Sequence, residues 1–201
     1  MKAFDELLEV ARVLNSPGGC PWDLKQTFFS LQPYVLEEAH EVVEAVDGQN
    51  DKEIIEELGD LLYTVIFYAK VAEKEKRFNM EDILLTVKEK LIRRHPHVFG
   101  ATSASTEEEV KKNWDLIKNT EEGKRDRKSP LEGIPDGLPL LAKAQKMVNV
   151  FAKAQFHPPC LSQDLAESIW EIVEKAESSA IDIESAFRRK LSEKKQAFLA
   201  K

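Results

Sequence analysis

The chain has 201 residues, 42% of them hydrophobic and 32% charged, with a formal net charge of −7. That length allows one large domain, or one domain with a small appendage, and the apolar share is enough for a packed core. The acidic balance argues against a general nucleic-acid-binding surface, no apolar run approaches the ~20 residues needed to span a bilayer, and two cysteines make no disulfide framework.

The first amino acids carry acids, Asp5 and Glu6, too early for a secretory signal, so a reduced, cytoplasmic enzyme is expected. Leu7, Leu8, Ala11 and Leu14 predict a first helix, broken by Pro17, Gly18 and Gly19. A turn follows at Cys20-Pro21-Trp22-Asp23, and the chain stays irregular until about Leu31. A second helix runs from about Pro33 to Asp47, with Pro33 suited to a first turn and Gly48 to a helix end. A third starts near Asp51 and reaches about Lys76; its stretch L-L-Y-T-V-I-F-Y-A is apolar nearly all round, which predicts the most buried helix. Asn79 caps a fourth, which ends at about Arg94 because the residue before Pro96 resists helical geometry. Ser105 or Thr106 caps another, the segment from Glu121 to Pro139 reads as a linker, and two or three more helices follow from about Leu140. No run of strand-like alternation is present, so the fold class is all-α.

Two acidic doublets stand out on the second and third helices, Glu38 with Glu41 and Glu57 with Asp60. Each pair has i, i+3 spacing, which turns a helix by roughly 300° and points both acids to one side. Val35, Ala39, Val42, Val43 and Val46 form the apolar stripe of the second helix, and Ile54, Leu58, Leu61, Leu62, Val65 and Ala69 that of the third. Glu38 and Glu57 sit at an edge of their stripes, and Glu41 and Asp60 lie roughly 60° further out on the same side. Glu37 and Glu44 fall further toward solvent. For a single glutamate, a solvated helix face is the simpler reading. Two pairs at matching offsets, on helices packed antiparallel, instead bring four carboxylates together, and such a cluster needs a neutralising cation. Hard oxygen ligands suit Mg²⁺, with Mn²⁺ as the alternative, and a metal held this way usually meets a phosphate.

Lys90, Arg93 and Arg94 gather at the end of the fourth helix, and Lys118 ends the next. They suit either the negative end of the helix dipole or a clamp on phosphate. Trp22, in a loop after Pro21, is open enough to stack a base, whereas Trp114, beside Leu116 and Ile117, reads as core. His95 and His97 flank Pro96 and read as loop structure; Cys20 has no evident base partner and so no nucleophilic role.

These residues together resemble the MazG family of nucleoside triphosphate pyrophosphohydrolases. The resemblance runs along G-C-P-W-D (Gly19–Asp23) and Gln26-Thr27, through both acidic helices and Lys76-Arg77-Phe78, to K-L-I-R-R-H-P-H-V-F (Lys90–Phe99) and N-W-D-L-I-K (Asn113–Lys118). It covers about the first 120 residues. It implies an all-α bundle related to the dimeric dUTP pyrophosphatases and a reaction splitting a nucleoside triphosphate into the monophosphate and pyrophosphate. It also implies Mg²⁺ binding by the E-E-x-x-E and E-x-x-D signature, which falls on Glu37, Glu38, Glu41, Glu57 and Asp60, and substrate handling by Lys90, Arg93 and Arg94.

Longer family members carry two tandem domains, and Gly137–Met147 resembles the start of the second. Where a second acidic signature belongs, the chain has Trp170-Glu171-Ile172-Val173-Glu174-Lys175, and no E-L-G-D helix follows. The expected organisation is therefore a catalytic domain over 1–120, a linker over 121–137, and a shortened, metal-incompetent second segment over 138–201. The catalytic set is Glu37, Glu38, Glu41, Glu57 and Asp60, the last four also holding metal, with Glu37 or Glu41 as a candidate for activating water. Lys90, Arg93, Arg94, Lys118 and Trp22 are the expected substrate contacts. A bundle of few helices often completes its core by pairing, so a homodimer is expected. A dCTP/dUTP or phosphoribosyl-ATP pyrophosphohydrolase, or a non-catalytic regulatory module of the same fold, are the alternatives.

Overall fold

The computed structural model describes residues 2–120, 129–156 and 165–199. These are helical with no strand among them, in the order α1 (Lys2–Leu14), α2 (Gln32–Gly48), α3 (Asp51–Lys74), α4 (Met80–Arg94), α5 (Pro96–Phe99), α6 (Glu107–Thr120), α7 (Leu140–Lys153), α8 (Leu165–Ser178) and α9 (Ile183–Leu199). Short 3₁₀ turns at Asp23–Lys25 and Pro130–Gly133 complete them. The chain divides into two compact units, Met1–Ile117 and Lys118–Lys201, with the boundary in the last turn of α6.

In the first unit α2 and α3 form a tight hairpin. Gln49 turns the chain in the left-handed region at φ 54°, and the Asn50 side chain accepts from the Lys52 amide at 3.1 Å to cap α3. The two-residue connection sets the helices antiparallel, which places the start of α2 beside the end of α3. The core is built mainly from the C-terminal half of α3. Ile66 and Ala69 pack with Ala11 of α1 and Met80 of α4, and Phe67 and Val71 close over Leu31. At the end of α1, Gly18 adopts φ +86°, and a Cβ on Gly19 would meet the Leu14 carbonyl oxygen at 2.3 Å, so only glycines fit this turn. Asn79 and Asp82 form a reciprocal capping box at the start of α4.

The apolar stripes differ from expectation at their ends. On α2 the buried residue is Ala45 and Val46 faces out; on α3, Leu58 and Leu62 are exposed and Ile55 is 73% exposed. The hairpin turns Ala45 inward, and the N-terminal half of α3 has no other helix over its outer face within the unit. Of the histidines expected in a loop, His95 stands at the N-cap of the short helix α5 and His97 lies within it, because Pro96 opens a new turn in place of extending α4.

In the second unit α7, α8 and α9 pack around Val148, Val173 and Ala176. Gln145 clamps the α8–α9 turn, donating to the Ile181 carbonyl at 2.7 Å and accepting from the Ile183 amide at 3.0 Å. The expected linker over 121–137 lies outside the described residues in its first part, 121–128.

Candidate active site

The hairpin brings acids from both helices to one place. Glu38, Glu41 and Glu57 each offer a carboxylate oxygen, and the three oxygens lie within 4.8 Å of one another. Glu38 and Glu57 are half-buried and Glu41 is exposed. Burial, then the charges of Asp60, Glu41, Glu57 and Glu37, push the Glu38 carboxyl above its ordinary range. Burial, then Glu41, Glu56, Asp60 and Glu53, do the same to Glu57. Asp60 is exposed and stands outside the three-acid group, yet its charge acts on both half-buried glutamates. Carboxylates this close repel one another when ionised, and a hard divalent cation with oxygen ligands is the natural counter-charge. No comparable His/Cys/Asp/Glu group occurs among the described residues of the second unit. There Glu174 instead accepts from the Trp170 indole at 2.9 Å.

One side of this site is aromatic. Trp22, 49% exposed, meets Tyr34 of α2 edge-on at 5.6 Å and Phe67 of α3 at 6.1 Å. Tyr34 lies one turn before Glu38 on the same helix face, and Phe67 two turns beyond Asp60. At 1.5 Å per residue the indole thus sits roughly 6–10 Å along the hairpin from the acids. Tyr34 and the buried Asp23 carry no apolar period or acidic doublet; a tyrosine one turn before the first doublet was the only available sign of that contact.

The basic residues part company. Lys90 is half-buried and lines a shallow cleft of about 380 Å³ with Phe78, Asp82, Ile83, Thr86 and Val87. Arg93 is exposed. Arg94 is only 8% exposed, with its guanidinium 5.2 Å from the centre of the Trp114 ring. Trp114 is half-buried, and His95 meets it edge-on at 4.9 Å while its Nδ1 lies 2.6 Å from the Leu91 carbonyl. Lys118 lies in the last turn of α6, at the start of the second unit, and is half-buried.

Residues 26–99 match the family model of the MazG nucleotide pyrophosphohydrolase domain. The chain is 39% identical over 186 residues to a nucleoside triphosphate pyrophosphohydrolase of Escherichia coli K12, spanning 90% of this chain and 71% of that protein. The chain belongs to the MazG family. A second MazG relative, the nucleoside triphosphate pyrophosphohydrolase/pyrophosphatase MazG of Thermotoga maritima, is 38% identical over 184 residues, 90% of this chain and 70% of its own length. Among solved structures, a mazG-related protein from Thermotoga maritima has a TM-score of 0.49 at 32% identity, over 57% of this chain and 98% of that one. The MazG model spans both acid doublets and Lys90, Arg93 and Arg94; Trp22 and Trp114 fall outside it.

Proposed function

We propose that the first unit is a Mg²⁺-dependent nucleoside triphosphate pyrophosphohydrolase, a hydrolase acting on acid anhydrides, that releases the monophosphate and pyrophosphate. The observation that carries this reading is the convergence of Glu38, Glu41 and Glu57 within 4.8 Å. Those three acids with Asp60 would hold Mg²⁺, with Mn²⁺ as the alternative, and the ion when bound would set positive charge against phosphate oxygens. Glu41 is committed to that group, which leaves Glu37, beside Glu38, to take the proton from the attacking water. The water oxygen bonds to the α-phosphorus, the bond from that phosphorus to the bridging oxygen breaks, and pyrophosphate leaves with the bridging oxygen. Lys90, Arg93 and Arg94 supply charge-assisted contacts to the phosphates, and Trp22 offers its face to the base. The intact acid group disfavours a purely regulatory module. Nucleoside triphosphates are cytoplasmic metabolites, and the cytoplasm is the compartment this reading implies.

Two further parts of the reading concern assembly. The exposed apolar residues of α3 (Ile55, Leu58, Leu62) and α4 (Leu84, Leu85, Leu91, Ile92) suit a second copy of the chain, making the protein a homodimer. The second unit is a structural element without its own metal site, since Ile172 and Lys175 stand where carboxylates would be needed. One experiment covers the whole reading: pyrophosphate release across the common ribo- and deoxyribonucleoside triphosphates with Mg²⁺, for the full chain and for residues 1–120, with each particle sized in solution. Release by both, lost on chelation, from a full-length particle of two chains is the expected result. No release from any nucleotide by the full chain, or loss of catalysis from a folded truncation that keeps the parent's assembly, contradicts it.

A further inference from the structure

A carboxylate buried beside the aromatic platform has no part in the chemistry so far described. Asp23 is 8% exposed and follows Trp22 directly in sequence. A buried acid is costly unless a donor faces it. The donor here is the Tyr63 hydroxyl of α3, 3.5 Å from Asp23 Oδ2, at the outer limit of a hydrogen bond. Burial and the Asp23 charge push the Tyr63 hydroxyl up to about 12, so it remains a donor through the neutral range. Two further bonds secure the same turn. Lys74 at the end of α3 donates to the Leu24 carbonyl at 2.7 Å, and Gln26 Nε2 donates to the Trp22 carbonyl at 3.0 Å. Among the described residues the indole meets the rings of Tyr34 and Phe67 edge-on, so its direction also depends on how this turn is anchored.

The geometry points to Tyr63 as a positioning residue for nucleotide binding: it anchors the turn through the buried Asp23 and thereby sets the Trp22 ring where a base stacks. This rests on the reading of Trp22 as the base surface. Tyr63 touches neither phosphate nor metal ligand in this scheme, so its effect falls on ground-state binding of the base and leaves the chemical step alone.

The test is a double-mutant cycle on the full chain with ATP and Mg²⁺, reading KM and kcat, with inorganic triphosphate as a competitive inhibitor that lacks a base. Trp22→Ala should raise KM for ATP about five-fold or more, and Tyr63→Phe about 2- to 10-fold. Neither should move kcat beyond about two-fold or change the inhibition constant of triphosphate. In the Trp22→Ala background, Tyr63→Phe should have no further effect on KM. Asp23→Asn, which keeps an acceptor facing the hydroxyl, should stay near wild type, while Asp23→Ala should behave like Tyr63→Phe. If Tyr63→Phe raises KM by the same factor with or without Trp22, or weakens triphosphate equally, Tyr63 only supports the fold and the inference is overturned. If Trp22→Ala leaves KM unchanged while pyrophosphate is still released, the base-surface reading fails and takes this inference with it, but the pyrophosphohydrolase reading stands.

Discussion

Glu38→Gln or Glu57→Gln should lower kcat for pyrophosphate release on the order of 10²–10³-fold, the scale of losing a preorganised electrostatic contact to the reacting group. Both side chains are half-buried and both lie in the group whose oxygens come within 4.8 Å. Glutamine keeps the shape and one neutral oxygen but removes the charge on which affinity for a hard cation depends. The same substitutions should raise Tm when no metal is present, because each removes a charge that its neighbours repel. The linked pH dependence has a definite sign. Carboxyls held above their ordinary range bind protons more tightly in the folded than in the unfolded state, so the metal-free protein loses stability as pH rises through their folded values and regains it on acidification. Wild type should show that slope without metal and lose it in Mg²⁺; without metal, the Gln variants should show less of it than wild type. Activity assays, with circular dichroism melts at several pH values, read all of this. Near-normal turnover by either variant at saturating nucleotide and Mg²⁺ would defeat the assignment.

Arg94→Ala should cost far more than Arg93→Ala. The two arginines are adjacent, but roughly 100° apart around α4. Arg93 faces solvent, whereas Arg94 is buried against the face of Trp114. Loss of a charge-assisted phosphate contact is worth about 1.5–3 kcal/mol, roughly a 10- to 150-fold fall in kcat/KM. Arg94→Ala should reach that range and also lower Tm, since it strips the ring of its cation and opens space beneath it. Arg93→Ala should fall below it and leave Tm nearly unchanged. Arg94→Lys separates charge from shape: a lysine keeps the charge but not the planar fork, so a large residual loss points to the guanidinium geometry. If neither alanine variant changes kcat/KM, the cluster serves only the end of the helix dipole.

The parts of this molecule that could be read from the chain alone are those governed by local rules. The helix boundaries at Asn79, Gly48 and Pro96 follow from capping and backbone sterics, which act within a few residues and leave a mark in sequence. The periodicity of a helix face marks the acid doublets in the sequence; the hairpin brings Glu38, Glu41 and Glu57 of them together, while Asp60 stands outside that group. The ends of the apolar stripes were not legible. Val46, Leu58 and Leu62 have the right period, but whether an apolar residue is covered depends on which helix lies across from it, and the first unit leaves those faces open. Trp114 shows the same limit. Its place beside Leu116 and Ile117 suggested an ordinary core position, but Leu116 is exposed and the ring is shared between Arg94 and His95. Asp23 and Tyr63 lie 40 residues apart and carry no periodic mark, so only the folded chain brings them together.

The central claim is that the acid cluster supports attack by water on the α-phosphorus. Hydrolysis of a nucleoside triphosphate in ¹⁸O-labelled water with Mg²⁺, with the products resolved by ³¹P NMR or mass spectrometry, tests this most directly. Label in the nucleoside monophosphate, with unlabelled pyrophosphate, is the predicted result. Label in the pyrophosphate, or orthophosphate and nucleoside diphosphate as the first products, would contradict it.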